Sequence, residues 1–144
     1  MNYNTKQNTY IDAYNTTMYV VFNPSIVIEV EKRSKELDEF LHKHNVIEWT
    51  FITSLNPYSN QLTDEENEIL FNSLLKDIAG YTYFLGQGEG ADKSWEPEKS
   101  VLIIGISESE AILLGNKYNQ NAIIVGEKGS IAKLVLLKAF EDIH

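Results

Sequence analysis

The sequence contains no cysteine, one arginine and three histidines among 144 residues. Without cysteine, the chain cannot form a disulfide, a thiolate metal site, an iron–sulfur cluster or a cysteine nucleophile. Twelve Lys and Arg residues face 21 Asp and Glu residues, so the net charge is −9. This charge argues against nucleic acid as a partner, because phosphate binding needs clustered basic side chains. A functional site must therefore be built from amides, hydroxyls, aromatic rings and carboxylates.

The sequence also lacks a long hydrophobic run. Its most apolar stretch, residues 101–106, is far too short to cross a bilayer, and residues 1–17 have neither a basic start nor an apolar signal region. We therefore expect no membrane partner and a cytoplasmic location. His42 and His44 are two residues apart on a predicted helix, so they face different directions and cannot chelate one metal ion together.

Periodicity and turn residues predict one α/β or α+β domain with a mixed β-sheet and about three helices, in the order β-β-α-β-α-β-β-α-β-β. Ser34, Thr63 and Ser107 stand where helix N-caps are expected, and Thr63 and Ser107 are each followed three residues later by Glu. Residues 101–106 show no alternation, which is typical of a central strand buried on both faces. We expect residues 1–9 to form a polar N-terminal lead-in, open to disorder, and residues 10–144 to form the domain.

The first candidate site segment, residues 53–61, follows a predicted strand. Thr53, Asn56 and Ser59 offer neutral donors and acceptors, and Tyr58 offers a flat apolar surface. Open α/β sheets bind ligands beyond such strand ends, so the position suits a binding site. The alternative is an ordinary strand-to-helix connection with Asn-Pro turn chemistry.

The second segment is a glycine-rich loop predicted over residues 86–99. Gly86 and Gly88 are not part of a dinucleotide fingerprint, because this loop leads into a strand rather than a helix. They still permit close approach of the backbone to a ligand, although a mobile surface loop is the alternative. Trp95 in the same loop can stack on a ligand ring or pack on the core. Glu96 and Glu98 can act as general acid and base or bind a divalent cation, with solvated surface charge as the alternative.

The third segment, residues 119–122, precedes an apolar strand. Gln120 and Asn121 carry amides that can bind a ligand without charge. The structural alternative is that Asn119 ends the preceding helix in left-handed geometry while Asn121 secures the loop.

Four blocks of the sequence occur in the order typical of an uncharacterised bacterial family. They are Ala13-Tyr14 with Tyr19; Thr53-Ser54-Leu55-Asn56-Pro57-Tyr58-Ser59; Gly86-Gln87-Gly88 with Trp95, Glu98 and Ser100; and Asn119-Gln120-Asn121-Ala122. Over roughly residues 10–128 the chain thereby resembles the domain of unknown function family numbered 3293. The family pattern has Ala-Trp where this chain has Ser54-Leu55, and it has Gly where this chain has Asn119. The resemblance implies that the polar loop residues share one site, and it implies no particular activity.

We therefore expect a small-molecule-binding domain whose ligand is polar and nucleotide- or sugar-like. The predicted binding residues are Thr53, Asn56, Tyr58, Ser59, Gly86, Gly88, Trp95, Ser100, Gln120 and Asn121. Two alternatives stay open: an enzyme that uses Glu98 or Glu96 as general acid/base in the same cleft, and an acidic protein-interaction module. We expect no metal site and no cofactor, with a divalent cation as the weaker alternative. Composition leaves the oligomeric state open.

Overall fold

The computed structural model describes residues 2–144, which form a single mixed α/β domain. Its strands are β1 (Met18–Val21), β2 (Ile26–Ile28), β3 (Glu48–Ile52), β4 (Thr82–Glu89), β5 (Glu98–Ile104), β6 (Ala122–Glu127) and β7 (Lys133–Leu136). Its α-helices are α1 (Thr5–Thr16), α2 (Lys35–Lys43), α3 (Asp64–Asp77), α4 (Glu108–Lys117) and α5 (Lys138–Glu141). A 3-10 turn, Pro57–Ser59, precedes α3. The predicted fold class and the order of the predicted elements are confirmed, and two helices are added, one at each end.

All seven strands belong to one sheet in the order β2-β1-β4-β5-β3-β6-β7. Each pair of neighbouring strands is antiparallel. Within residues 2–144, the isolated parallel contact is a bridge between Val30, just after β2, and Ala132, just before β7. Since β2 and β7 are the two edge strands, this bridge shows that the sheet curls until its edges meet.

The central strand β5 is buried on both faces, as its unbroken apolar sequence predicts. Leu102 and Ile104 pack into a cluster with Leu41 of α2 on one face of the sheet. Val101 and Ile103 point the other way and pack against α3 and α4. The helices therefore cover both faces of the sheet, and the apolar core lies in two layers.

The predicted N-caps are confirmed at all three central helices. The Ser34, Thr63 and Ser107 hydroxyls accept hydrogen bonds from backbone amides three residues on, at 3.1, 3.1 and 3.2 Å. Thr63 and Glu66 complete a reciprocal capping box. Each cap satisfies an amide that has no partner inside its helix.

The N-terminal segment differs from its predicted form. Within the described part of residues 1–9, which excludes Met1, Thr5 begins α1, and the helix continues to Thr16. Asn4 caps it through a reciprocal hydrogen-bond pair with Gln7, at 2.8 and 3.0 Å. Gln7 is also the buried residue of this helix, so α1 has no apolar stripe from which periodicity could predict it.

The predicted glycine-rich loop is shorter than expected. Gly86 and Gly88 lie inside β4, where both pair with residues of β1 and β5. A Cβ atom at Gly86 would lie 2.2 Å from the Val20 carbonyl oxygen, so only glycine fits this sheet position without a shift of backbone. The connection between β4 and β5 is reduced to residues 90–97. None of the described helices is long and apolar enough to cross a membrane.

Candidate functional site

A cavity of about 970 Å³ lies at one end of the sheet. The antiparallel register explains its position, because it brings the ends of β3 and β4 beside the starts of β1, β5 and β6. The strand-end rule behind the sequence prediction describes parallel sheets, whereas in this antiparallel sheet strand starts and strand ends meet at the same edge. The three polar segments therefore converge, although they are far apart in the chain.

The cavity has two unlike walls. One wall is α1, which contributes Lys6, Thr9, Tyr10, Ala13 and Tyr14, with Thr17 just beyond it. The opposite wall carries ten of the twelve predicted site residues: Thr53, Asn56, Ser59, Gly88, Trp95, Glu96, Glu98, Ser100, Gln120 and Asn121. The structure thus brings the three predicted segments to one site, with α1 as a wall that the sequence did not indicate.

The structure places two predicted site residues elsewhere. Tyr58 is 49% exposed outside the cavity lining, and its backbone amide donates to the Asn119 carbonyl at 2.8 Å. Gly86 is buried in the sheet against Val20. Tyr58 points away because Asn56, Tyr58 and Ser59 all have left-handed backbone conformations, with φ values of 49°, 58° and 61°. This compact turn directs Asn56 and Ser59 inward and leaves the Tyr58 ring in solvent.

Asn56 is the hydrogen-bonding centre of the polar wall. Its Nδ2 donates to Glu98 Oε2 at 2.7 Å, and its Oδ1 accepts from the Leu62 amide and from Asn67 Nδ2 at 3.0 and 2.9 Å. Asn67 Oδ1 in turn accepts from the Asn56 backbone amide at 3.0 Å. Both polar ends of the Asn56 side chain are therefore fixed, and this network positions the Glu98 carboxylate.

Glu98 is the half-buried carboxylate of the cavity. Burial raises the pKa of Glu98 above its ordinary value, and the hydrogen bond from Asn56 only partly opposes that rise. Among the described residues Asn56 is its hydrogen-bond donor, and this bond occupies Oε2. Glu96, the other predicted acid, also lines the cavity but is exposed to solvent. Of the two, Glu98 has the environment typical of a functional carboxylate.

Asn121 lies deeper in the same wall and is only 4% exposed. Its Nδ2 donates to the Tyr14 hydroxyl at 3.0 Å and to Ser59 Oγ at 2.5 Å. Its Oδ1 is buried and has no hydrogen-bond partner within residues 2–144. Ser54 Oγ is also buried without a partner, but Ser54 is not part of the cavity lining. A buried acceptor without a donor costs free energy, so a donor from outside the protein that reached Asn121 Oδ1 would stabilise this wall.

Other polar residues of this wall use their donors inside the protein. Thr53 Oγ1 donates to the Lys99 carbonyl at 2.6 Å, and Ser100 Oγ donates to the Glu98 carbonyl at 2.9 Å. Gln120 Nε2 donates to the Leu55 carbonyl at 2.9 Å. These three residues hold the loops together and support the groups that face the cavity.

Two tyrosines connect α1 to the site. The Tyr14 hydroxyl accepts from Asn121, and the Tyr19 hydroxyl donates to the Tyr14 carbonyl at 2.7 Å. Burial raises the pKa of both tyrosines, so they are neutral hydroxyls at ordinary pH. The sequence analysis did not place Tyr14 or Asn67 in the site. The signal for Asn67 was a polar residue on the otherwise apolar inner face of α3.

No group of three or more His, Asp or Glu side chains in residues 2–144 is arranged to hold a metal ion.

Comparisons with known proteins identify a family through one segment. Neither the curated proteins nor the solved structures contain a match to this chain. The family model described as "Protein of unknown function (DUF3293)" matches residues 52–123, which carry Asn56, Glu98 and Asn121. This is narrower than the span of the sequence resemblance and leaves the Ala13-Tyr14 block outside. Since the matched segment is half of the chain, the protein belongs to the DUF3293 family.

Proposed function

We propose that the protein binds a polar, nucleotide- or sugar-like small molecule in the cavity between α1 and the three polar segments. One observation carries the proposal: Asn121 presents a buried acceptor without a partner in the lining of a cavity of about 970 Å³. That volume lies within the range of about 300–1,000 Å³ typical of small-molecule sites. The proposal requires no cofactor, and a chain without cysteine suits the cytoplasm.

The lining supplies the other features that such a ligand needs. Asn121 and Glu98 offer hydrogen-bond acceptors, and Ser59 offers a hydroxyl. Trp95 lines the cavity while 53% exposed, so its ring is available for stacking on a flat ligand at the entrance. A few polar groups in a partly aromatic cavity are typical of sites that orient a small molecule.

The proposal is tested by identifying what the native protein carries and what stabilises it. Mass spectrometry of the purified protein should detect a bound small molecule, and a screen of nucleosides and sugars should find compounds that raise Tm. Asn121→Leu should abolish both results, whereas the same substitution at Asn72, exposed on α3, should leave them unchanged. A protein that carries nothing and responds to no compound would contradict the proposal.

A second candidate function is catalysis in the same cavity, and the environment of Glu98 favours it. A carboxyl group whose pKa is raised by burial keeps its proton to a higher pH than an exposed glutamate does, which favours a role as general acid. Glu98→Gln should then abolish turnover of an identified ligand while leaving its binding largely intact. A binding protein would show no turnover in either form.

A further inference from the structure

Two acceptors of the polar wall receive no hydrogen bond from the described part of the chain. Asn121 Oδ1 has no donor within the described chain, and the hydrogen bond from Asn56 leaves Glu98 Oε1 without one. Both residues lie near Tyr14, which accepts a hydrogen bond from Asn121 and experiences the charge of Glu98. Thr53, Ser100 and Gln120 direct their donors at backbone carbonyls, so these three residues do not supply the two acceptors, and N–H or O–H groups of a ligand can.

The charge of the lining favours a positively charged ligand. The cavity contains the carboxylates of Asp64, Glu68, Glu96 and Glu98, against the ammonium groups of Lys6 and Lys99. The Lys99 ammonium lies 5.8 Å from the centre of the Phe71 ring. An excess of carboxylates attracts a cation and repels a phosphate or carboxylate group.

Aromatic rings add a second attraction for a cation. Tyr10 and Tyr14 on α1 stack with their ring centres 6.1 Å apart, and both line the cavity. Trp95 lines it from the connection between β4 and β5. The faces of aromatic rings attract cations, most strongly where water is excluded, and a planar cation can also stack on them.

We propose that the ligand of this cavity is a planar cation whose N–H groups donate to the Glu98 carboxylate and to Asn121 Oδ1. Amidines, guanidines and protonated amino-heterocycles form this chemical class. The inference rests on the proposed function and narrows it, because it selects protonated amino-bearing bases among the nucleotide-like ligands and disfavours neutral sugars and ligands that carry a phosphate.

Three probes of similar shape separate charge from shape. Benzamidine is a planar cation with N–H donors, benzamide is its neutral counterpart, and benzoate is an anion without a donor. Titration calorimetry is best done at pH 8, where Glu98 is more ionised than at lower pH. Benzamidine should bind most tightly, benzamide less tightly and benzoate least tightly. A charge-assisted pair should make benzamidine about tenfold or more tighter than benzamide.

Two substitutions with opposite expected effects test the assigned contacts. Glu98→Gln should weaken the binding of benzamidine about tenfold and leave the binding of benzamide almost unchanged. The substitution keeps the shape of the side chain and removes its charge. Asn121→Asp should strengthen the binding of benzamidine, because it puts a carboxylate in place of the amide whose oxygen has no partner. Glu39→Gln, on the exposed side of α2, makes the same charge change away from the cavity and should have no effect.

Benzoate binding as tightly as benzamidine would overturn the inference, and so would equal benzamidine affinities for the wild type and Glu98→Gln. A nucleoside or sugar that binds without competition from benzamidine would also overturn it while leaving the proposed function intact. Failure of the proposed function is distinct, because no compound of any charge would then bind. Since Asn121→Asp tests the second proposed contact and is expected to change the affinity in the opposite direction, the inference stays testable if Glu98→Gln fails to fold.

Discussion

Asn56 donates a 2.7 Å hydrogen bond from Nδ2 to Oε2 of Glu98, although 42 residues separate them in the chain. The contact joins the turn after β3 to the first residue of β5. It also connects the backbone conformation of Asn56 with the pKa of Glu98. The left-handed backbone of Asn56 fixes the direction of its side-chain amide, and the hydrogen bond from that amide opposes the rise in the pKa of Glu98. Local geometry in one segment therefore moderates the pKa of a carboxyl group in another, where burial is the larger influence.

Asn56→Ala should destabilise the protein and raise the pKa of Glu98 further. The substitution removes three side-chain hydrogen bonds and puts alanine at φ 49°, which together should cost about 2–4 kcal/mol of unfolding free energy. Urea unfolding measures the stability, and an NMR titration of the Glu98 carboxyl carbon measures the pKa. The control is Asn45→Ala: Asn45 is exposed with φ 56°, so it reports the backbone cost alone, about 1 kcal/mol. Equal losses in the two variants would contradict the role given to the Asn56 side chain.

Glu98→Gln should stabilise the ligand-free protein at pH 7–8. Because burial raises the pKa of Glu98 in the folded state, the folded protein binds a proton that the unfolded chain releases. The stabilisation that this proton gives the folded protein is complete below the ordinary pKa of glutamate. It is lost as pH rises through the raised pKa of Glu98 in the folded protein. A gain of about 1 kcal/mol would raise Tm by about 2–4 °C in a chain of this size. Thermal unfolding from pH 4 to 8 should show the gain growing with pH, and a constant difference would argue against it.

Gly86→Ala should destabilise the sheet, whereas Gly88→Ala should be tolerated. At Gly86 the new methyl group would lie 2.2 Å from the Val20 carbonyl oxygen, and the backbone must move, at a cost of about 1–3 kcal/mol. At Gly88 the nearest atom is Thr17 Cγ2 at 3.8 Å, which is ordinary contact. Chemical denaturation of both variants provides the comparison, since the two residues share one strand and one face. Similar unfolding free energies would contradict the packing argument.

Trp95→Ala should weaken ligand binding, whereas Tyr58→Ala should not. The two aromatic rings are about equally exposed, at 53% and 49%, but only Trp95 lines the cavity. Loss of a stacked ring costs about 1 kcal/mol, which is a fivefold to tenfold change in Kd. Calorimetric titration with the tightest compound of the screen measures it. A larger effect at Tyr58 would restore the sequence-based prediction that placed this residue in the site.

The sequence alone supports predictions where one residue type has one physical use. Ser34, Thr63 and Ser107 each cap a helix as predicted, because a hydroxyl before a helix can satisfy an amide that the helix leaves free. Asn119 ends α4 at φ 51°, which agrees with the structural alternative for that position. Asn121 secures Ser59, which agrees with its structural alternative, and it also lines the cavity, so its predicted binding role stays a prediction.

The misassigned elements have a common physical reason. Glycine allows both a mobile loop and a close approach of strands, and only the position of Val20 decides between them at Gly86. Helix α1 lacks an apolar stripe, although its capping pair of Asn4 and Gln7 was readable in the sequence. The sequence predicts Tyr58 in the site because its segment is polar. The direction of its side chain depends on the left-handed backbone conformations of Asn56, Tyr58 and Ser59, which residue type does not predict. In each case the deciding information is a three-dimensional geometry that residue type alone does not fix.

The family model matches one wall of the cavity and does not extend to helix α1, which forms the other. The polar wall, with Asn56, Glu98 and Asn121, lies inside the segment that the family model matches, whereas Thr5–Thr16 lies outside it. Helix α1 thus lines the cavity from outside the matched segment and meets that segment at the hydrogen bond between Tyr14 and Asn121. Relatives with the same polar wall and a different first helix would then accommodate ligands of different size around the same recognised group.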